Sequence, residues 1–331
     1  MGTQSLDNAK IRPSNLMKKY SILYKQDLRL LSTELVKTNC PACSSTRFQN
    51  WCSKMGFTFM QCVRCKTVFV NPRPSESSLE QFYTKSKAID YWDKIFKKTE
   101  KIRIEQIFKP RVKLVFKILQ NYGIKRCTKL VEVGAGYGWF CKIVKQKNLA
   151  KEIIAIEPSQ KLALSCRRLK GIKVIESTIE KTINELESHV IVSFELVHLL
   201  FNPIEFLTNC FNKLKKDGVL IFSLTNFYGL DIQILKEKSE YVTPTFLTLF
   251  NQTSIQIALK KIGFKNIQVT TPGLLDVPII LNKLRSQDLK GTDCPFFKLV
   301  LDQKNERLVG DIQNLLQKYN MSSHMVVAAQ K

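Results

Sequence analysis

The chain has 331 residues and carries 52 Lys and Arg against 28 Asp and Glu, a formal net charge of +24. Apolar residues make up 44% of the chain, which excludes disorder over its whole length despite that charge. The opening residues are polar, and the longest apolar stretch, residues 190–201, is too short and too interrupted to cross a bilayer. We therefore expect a cytoplasmic protein without a membrane span.

Composition and pattern divide the chain into four predicted segments. They are a polar lead over 1–38 with a short helix near 28–36, a cysteine-rich module over 39–75, a helical connector over 76–123 and an α/β domain over 124–331. The connector has an apolar face at helical spacing, and Pro110 predicts a break or kink in it. Residues 94–117 hold nine basic and two acidic side chains, so the connector is also strongly basic.

The module over 39–75 holds five of the ten cysteines of the chain. Cys40-Pro-Ala-Cys43 and Cys62-Val-Arg-Cys65 form two C-x2-C pairs separated by 18 residues. Two such pairs bring four thiolates to a tetrahedron, the closed geometry of structural zinc. We predict that Cys40, Cys43, Cys62 and Cys65 bind Zn²⁺, and we leave out Cys52, which lies between the pairs. A small hairpin with four incidental thiols is the alternative.

From residue 124 onward, apolar strand-like runs alternate with amphipathic helical runs. Strands are predicted at 129–133, 153–157, 173–176, 190–194, 219–224, 265–270 and 324–329. Helices are predicted at 139–147, 160–169, 179–186, 203–214 and 253–262. Near-continuous apolar strands separated by helices indicate a parallel sheet covered on both faces. We therefore predict an α/β fold with a doubly wound, mostly parallel, seven-stranded, Rossmann-like sheet that has an antiparallel edge near the C-terminus.

A glycine-rich turn follows the first of these strands. Gly134, Gly136 and Gly138 stand at alternate positions between that strand and a helix, where glycine lets a ligand approach the backbone. Glu132 lies inside the strand just before them, and a negative charge aimed at the loop suits a cationic ligand better than a pyrophosphate. Glu157 ends the next strand, where it is placed to hold two ribose hydroxyls.

This E-x-G-x-G-x-G turn, the acid after the second strand and the fourth-strand segment Ile191-Val-Ser-Phe-Glu-Leu196 resemble class I S-adenosylmethionine-dependent methyltransferases. The resemblance implies S-adenosyl-L-methionine as the cofactor, with Glu132 facing its methionine amino end and Glu157 holding its ribose. The cofactor-binding residues that it implies are Glu132, Gly134, Ala135, Gly136, Tyr137, Gly138, Glu157, Pro158, Phe194 and Glu195.

The cysteine module ahead of such a core, ending in Asn71-Pro-Arg-Pro74, resembles a bacterial subgroup of these enzymes. That resemblance implies methyl transfer to a small or carbohydrate-like acceptor, such as a nucleotide-sugar or a polysaccharide precursor. Many relatives carry Glu-His just after the fourth strand and Glu-His-Leu-Asn before the sixth. This chain has His198-Leu199 and Thr245-Phe246-Leu247-Thr248 at those places. We hypothesise that His198 partly replaces the missing general base; an imidazole that only fills space beneath the fourth strand is the alternative.

Two other functions stay open at this point. The net charge and the basic connector are compatible with an RNA-modifying methyltransferase, although no run of interleaved basic and aromatic residues supports a nucleic-acid surface. The missing Glu-His pairs are compatible with a catalytically degenerate protein that still binds the cofactor. The acceptor, the methylated atom and the oligomeric state do not follow from the sequence.

Overall fold

The computed structural model describes residues 8–182 and 186–331. The chain forms two compact units, and each is assembled from three separate stretches. Unit 1 comprises Met1–Glu100, Thr225–Ser254 and Thr270–Met325, and unit 2 comprises Lys101–Leu224, Ile255–Val269 and Val326–Lys331. Each unit combines residues that are close in space but come from separate stretches of the chain. The four predicted segments follow one another along the chain, and they stay a prediction. Among the described residues, no helix has both the length and the apolar character needed to cross a membrane.

The first part of the chain combines helices with short strands. Its elements are α1 (Asn8–Ile11), α2 (Ser14–Leu31), β1 (Leu35–Val36), β2 (Phe48–Lys54), β3 (Phe57–Cys62), β4 (Val68–Val70), β5 (Arg73–Pro74), α3 (Glu76–Lys85), α4 (Lys87–Lys98) and α5 (Glu100–Arg103). The helix predicted at 28–36 is wrong in its bounds. Tyr24, Asp27 and Leu31 are buried at helical spacing, which extends α2 toward the N-terminus.

The connector changes helix type just before Pro110. Ile104–Phe108 form a π-helical turn, and α6 (Lys109–Asn121) follows it directly. Lys109 donates its backbone N–H to the carbonyl of Ile104, five residues earlier. Because Pro110 has no N–H to donate, the ladder of helical hydrogen bonds is interrupted there. The helix is not broken at Pro110; the irregularity is a local change of helix type just before it.

The remaining elements alternate strands with helices. They are β6 (Cys127–Val133), α7 (Trp139–Gln146), β7 (Ala150–Ile156), α8 (Gln160–Arg167), β8 (Lys173–Ile175), β9 (Ser188–Phe194), α9 (Pro203–Lys213), β10 (Leu214–Thr225), α10 (Leu230–Leu235), β11 (Thr248–Leu249), α11 (Gln252–Ile262), β12 (Lys265–Thr270), α12 (Asp276–Arg285), α13 (Pro295–Gln303), α14 (Glu306–Lys318) and β13 (His324–Gln330). Short 3₁₀ turns lie at Val197–Leu199, Lys236–Lys238 and Gly291–Asp293. The predicted helix at 179–186 includes residues 183–185, which lie outside the described residues.

Within the described residues, seven strands form one sheet in the order β12-β13-β10-β9-β6-β7-β8. The pairs β10–β9, β9–β6, β6–β7 and β7–β8 are parallel. At the other edge, Asn266 near the start of β12 donates to Gln330 at the end of β13, with 2.7 Å between Nδ2 and Oε1. Lys331, just after β13, donates to the carbonyl of Gly218 in the first half of β10 at 2.9 Å. Both contacts join the start of one strand to the end of its neighbour, which indicates antiparallel pairing at this edge. The predicted mostly parallel sheet with an antiparallel edge is therefore confirmed.

Both faces of the central strands are buried. Leu130, Val131 and Val133 of β6 are each at most 3% exposed, although they alternate between the two faces. On one face, Leu130 belongs to a core that includes Val112 of α6 and Phe140 of α7. Glu132 is two residues from Leu130 and therefore points toward the same face.

The cysteine module forms its own sheet within unit 1. Its order is β11-β4-β3-β2, and both β2–β3 and β3–β4 are antiparallel. The fourth strand, β11, comes from residues 248–249, almost two hundred residues later in the chain.

Candidate functional site

The loop after β6 has the backbone shape that its glycines allow. Gly134, Gly136 and Gly138 have φ of +73°, +57° and +71°, in the left-handed region that favours glycine. The N–H groups of Gly134 and Ala135 both donate to the carbonyl of Ile156, at 2.9 and 3.2 Å, which ties the loop to the end of β7. Gly138 then precedes α7 as its N-terminal cap residue.

Two of these glycines face different surroundings. A Cβ atom at Gly138 would lie 2.8 Å from Cδ1 of Leu169 and 3.0 Å from Sγ of Cys166. No atom lies within 4 Å of a Cβ placed at Gly136. Gly138 therefore allows the loop to pack against α8, whereas Gly136 leaves space where a ligand can reach the backbone.

Glu132 is a buried carboxylate beneath the glycine loop, with 3% of its surface exposed. The thiol of Cys141 donates to its Oε2 at 3.0 Å. Burial raises the pKa of Glu132 to about 7, and the hydrogen bond from Cys141 and the charge of Arg111 oppose that rise. A ligand cation would stabilise the ionised form of this carboxylate, which burial disfavours.

Glu157 links the glycine loop to the end of β7. Its Oε2 accepts the N–H of Gly136 at 2.8 Å, and its Oε1 accepts the N–H of Ser159 at 3.0 Å. Burial raises the pKa of Glu157, and these two backbone donors oppose the rise. Each carboxylate oxygen keeps acceptor capacity, so the pair of oxygens can also accept two neighbouring hydroxyls.

The end of β9 supplies the other side of the site, since β6 and β9 are adjacent parallel strands. The order of the sheet reverses direction between them, which is where ligands bind in open α/β sheets. Glu195 follows β9 with φ of +55°, and Ser223 of β10 holds it. The Glu195 N–H donates to the Ser223 carbonyl at 3.0 Å, and the Ser223 hydroxyl donates to Glu195 Oε1 at 2.5 Å.

Arg111 of α6 lies against this second side. Its guanidinium carbon is 4.4 Å from the ring centroid of Phe194 and 5.1 Å from that of Phe108. Burial lowers the pKa of Arg111, whereas the carboxylates of Glu195 and Glu132 raise it. A cation and two acids therefore interact in this region, an arrangement that can hold a ligand with both charges.

The remaining predicted residues take varied positions. The ring of Tyr137 stacks on Trp139, with centroids 4.7 Å apart and planes 15° apart. Ala135 is buried in the loop, and Pro158 is exposed. His198 lies in the 3₁₀ turn Val197–Leu199 with 1% of its surface exposed.

The four predicted zinc ligands converge in unit 1. All four cysteines are buried, and their sulfur atoms lie within 4.8 Å of one another. The Sγ–Sγ distance is 3.4 Å between Cys40 and Cys65 and 3.6 Å between Cys43 and Cys62. Four thiolates about 2.3 Å from one zinc ion would be about 3.8 Å apart, so this donor set fits Zn²⁺ after a small expansion.

The two C-x2-C turns share one backbone geometry. Ser44 and Lys66, each directly after the second cysteine of its turn, have φ of +61° and +60°. Each of these residues donates its N–H to the carbonyl of the first cysteine of its turn, at 2.8 Å for Ser44 and 3.0 Å for Lys66. Two matching turns that aim their thiols at one point are typical of a metal site and are not expected of incidental thiols.

Residues 95–269 match the family model of a methyltransferase domain. The match covers more than half of the chain and includes the glycine loop and Glu157. The chain belongs to this methyltransferase family. No curated protein sequence matches the chain significantly.

A solved structure of a methyltransferase shares the fold. The plantazolicin methyltransferase BpumL in complex with SAH has a TM-score of 0.50 and 15% identity, covering 76% of this chain and 94% of that one. An S-adenosylmethionine-dependent methyltransferase from Thermotoga maritima, a possible histamine N-methyltransferase, has a TM-score of 0.47 and 17% identity. That match covers 73% of this chain and 95% of the Thermotoga chain.

Sequence reasoning missed Arg111 as a residue of the methyltransferase site. Its signal was present: Phe108, Arg111 and Val115 recur at helical spacing, so a charged residue interrupts the apolar face of α6. The excess of basic residues along the connector concealed this position.

Proposed function

We propose that the chain transfers a methyl group from S-adenosylmethionine, which it holds at the glycine loop. The observation that carries this proposal is the contact of Glu157 with the N–H of Gly136, at 2.8 Å. It sets a two-oxygen acceptor for a ribose beside Gly136, the glycine of this loop whose Cβ direction is open. When bound, S-adenosylmethionine supplies a methyl group already activated on a sulfonium, so the protein mainly orients the reactants and excludes water.

The charges of the site support a particular orientation of the donor. Glu132 is placed to attract the ammonium group of the methionine end. Arg111 is placed to attract its carboxylate, because it is a cation whose charge interacts with those of Glu132 and Glu195. Phe194 and Glu195 then border the donor on the side of β9.

We also propose that His198 is the general base that takes a proton from the methyl acceptor. The burial of His198 makes this role testable. With 1% of its surface exposed, the ring can reach an acceptor only if covering side chains move. In that case we expect His198→Gln to slow transfer and to alter the pH profile of kcat. Unchanged transfer across a pH series would remove this role and leave the donor site unaffected.

We propose a small or carbohydrate-like acceptor, such as a nucleotide-sugar or a polysaccharide precursor. The support is the likeness of the cysteine module and of the Asn71-Pro-Arg-Pro74 segment to a bacterial methyltransferase subgroup. The structural neighbour bound to SAH is a plantazolicin methyltransferase, so the shared fold serves different acceptors and does not select among them.

We propose that Cys40, Cys43, Cys62 and Cys65 hold a structural Zn²⁺. Four protein thiolates leave no open coordination position, so the ion would stabilise the module and take no part in the chemistry. Ten free cysteines with four converging thiols fit a reducing compartment, and we propose the cytoplasm.

The test is transfer of label from methyl-labelled S-adenosylmethionine to fractionated cell extract by the zinc-loaded protein. We expect label in a small-molecule or carbohydrate fraction, and much less label with the Glu157→Ala variant at a donor concentration near the wild-type Kd. Label that ribonuclease releases would replace this acceptor with RNA. Donor binding without transfer to any fraction would indicate a catalytically degenerate protein.

A further inference from the structure

The sheet of the cysteine module is completed by a strand from a distant part of the chain. β11 pairs antiparallel with β4, with Thr248 opposite Phe69 and Leu249 opposite Val68. The N–H of Val70 also donates to the carbonyl of Leu247 at 3.0 Å. Without this partner, β4 would present an unpaired edge.

A second contact links this strand to a predicted metal ligand. The amide Nδ2 of Asn251 donates to the backbone carbonyl of Cys65 at 2.9 Å, and Asn251 is fully buried. The same side chain caps α11, because its Oδ1 accepts the N–H of Ser254 at 2.9 Å. Asn251 therefore connects the second C-x2-C turn to the start of the next helix.

Further contacts hold the rest of Thr225–Ser254 to the module. Trp51 of β2 packs edge-on against Phe227, with centroids 5.1 Å apart. Lys54 Nζ donates to the carbonyl of Ser239 at 2.7 Å. Within the segment, the N–H of Phe227 donates to the carbonyl of Phe250 at 2.7 Å, which joins its start to its end. The segment thus touches the module at its start, its middle and its end.

These contacts depend on a module that is too small to fold on its own core. In such modules, metal binding supplies much of the folding free energy. Cys65 belongs to the second cysteine turn, and β4 begins three residues after it, so a metal that fixes this turn also positions the Cys65 carbonyl and the edge of β4. A segment that relies on both is therefore linked to the metal.

We propose that metal binding at the four cysteines orders residues 244–252, so that the ion controls a segment far outside its own module. This inference rests on the proposed zinc site. It concerns Thr245-Phe246-Leu247-Thr248, which stands where similar enzymes carry the Glu-His-Leu-Asn stretch. Metal loss is then expected to affect this segment more than β6 and β7.

Hydrogen exchange of the full chain tests the proposal. Zinc-loaded and chelator-treated protein are compared by mass spectrometry at three peptides: 57–70 in the module, 244–252, and 150–156 in β7. We expect chelation to raise exchange at least about tenfold in both of the first two peptides, and to leave 150–156 protected. Unchanged protection of 244–252 alongside loss in 57–70 would overturn the inference.

A variant tests the contact between Asn251 and Cys65 separately from metal binding. Asn251→Ser keeps an oxygen that can cap α11 but is too short to donate to Cys65. With zinc content still one per chain, we expect about tenfold faster exchange in 244–252 and none of that change in 57–70. Cys52→Ser is the matched control, since Cys52 lies in the module outside the cluster, and it should change neither peptide.

The outcomes distinguish this inference from the zinc site. A wild-type chain that binds no zinc overturns both. A zinc-loaded Asn251→Ser variant with wild-type exchange in 244–252 overturns the link alone, even if chelation unfolds the whole chain.

Discussion

At the scale of single residues, Glu132 is the buried carboxylate that we propose to attract the donor ammonium. Burial places its pKa at about 7, so the group changes charge within the physiological range. We expect the Kd for S-adenosylmethionine to rise about tenfold per pH unit below 7, because the protonated acid no longer attracts the donor ammonium. Calorimetry from pH 5.5 to 8.5 measures this slope.

Two variants test whether the change of Kd with pH comes from Glu132. Glu132→Gln should bind weakly at every pH and remove the slope. Cys141→Ala removes the thiol that donates to Glu132 at 3.0 Å and opposes the rise in its pKa. The pH below which Kd rises should therefore be higher in this variant. A slope that persists in Glu132→Gln would assign the titration to another group.

Asp231 is a second buried acid, and it affects stability. It is fully buried, and burial together with the charge of Asp276 raises its pKa well above the ordinary value. The folded state therefore holds a proton that the unfolded chain releases above about pH 4. Its contribution to the free energy of unfolding must fall as pH rises from there toward the folded pKa.

Asp231→Asn should remove this loss, because an amide has no charge to bury. We expect the variant to gain up to about 1.4 kcal/mol relative to wild type for each pH unit above 4, measured by urea unfolding from pH 4.5 to 8. Parallel stability curves for the two proteins would show that Asp231 keeps an ordinary pKa.

At the scale of elements, we expect two glycines of the loop to have different roles, Gly138 in packing and Gly136 in donor binding. Gly138→Ala places a Cβ 2.8 Å from Leu169 at φ of +71°, so we expect a loss of stability of about 1–3 kcal/mol. Gly136→Ala has open space and φ of +57°, so we expect about 1 kcal/mol of lost stability but at least about tenfold weaker donor binding. Thermal unfolding and calorimetry of both variants make the comparison. Equal effects of the two variants on binding and on stability would contradict the division of roles.

Elements with strong local patterns could be predicted from the sequence. β12 begins and ends where it was predicted, and β9 differs only by starting at Ser188. A buried parallel strand is a continuous apolar run bounded by turns, so its signal is contained in its own residues. Glu132 and Glu157 followed from the same local reading because they stand beside a glycine turn.

At the scale of the whole molecule, the missed features are those that depend on distant partners. β11 has two residues, Thr248 and Leu249, and no periodicity, so only its pairing with Phe69 and Val68 makes it a strand. Arg111 belongs to the site because of Phe194, 83 residues further along the chain. Such contacts arise from tertiary packing, which no window of sequence contains.

Contacts between residues that are far apart in the sequence also explain why unit 1 is discontinuous. Three stretches of chain meet in it, and two of them are joined by the strand pair β4–β11 and by the contact of Asn251 with Cys65. A boundary drawn along the chain at residue 124 separates residues that pack together. We therefore expect a fragment covering only 124–331 to be less stable than the full chain.

Donor binding to the full, zinc-loaded chain tests the central claim most directly. Calorimetric titration with S-adenosylhomocysteine should show one site per chain in the wild type. Glu157→Ala should weaken it about 10- to 100-fold, because two hydrogen bonds to a charged group are lost. A wild-type chain that releases no binding heat and shows no stabilisation by this ligand, or a Glu157→Ala variant that binds as tightly as wild type, would contradict the account.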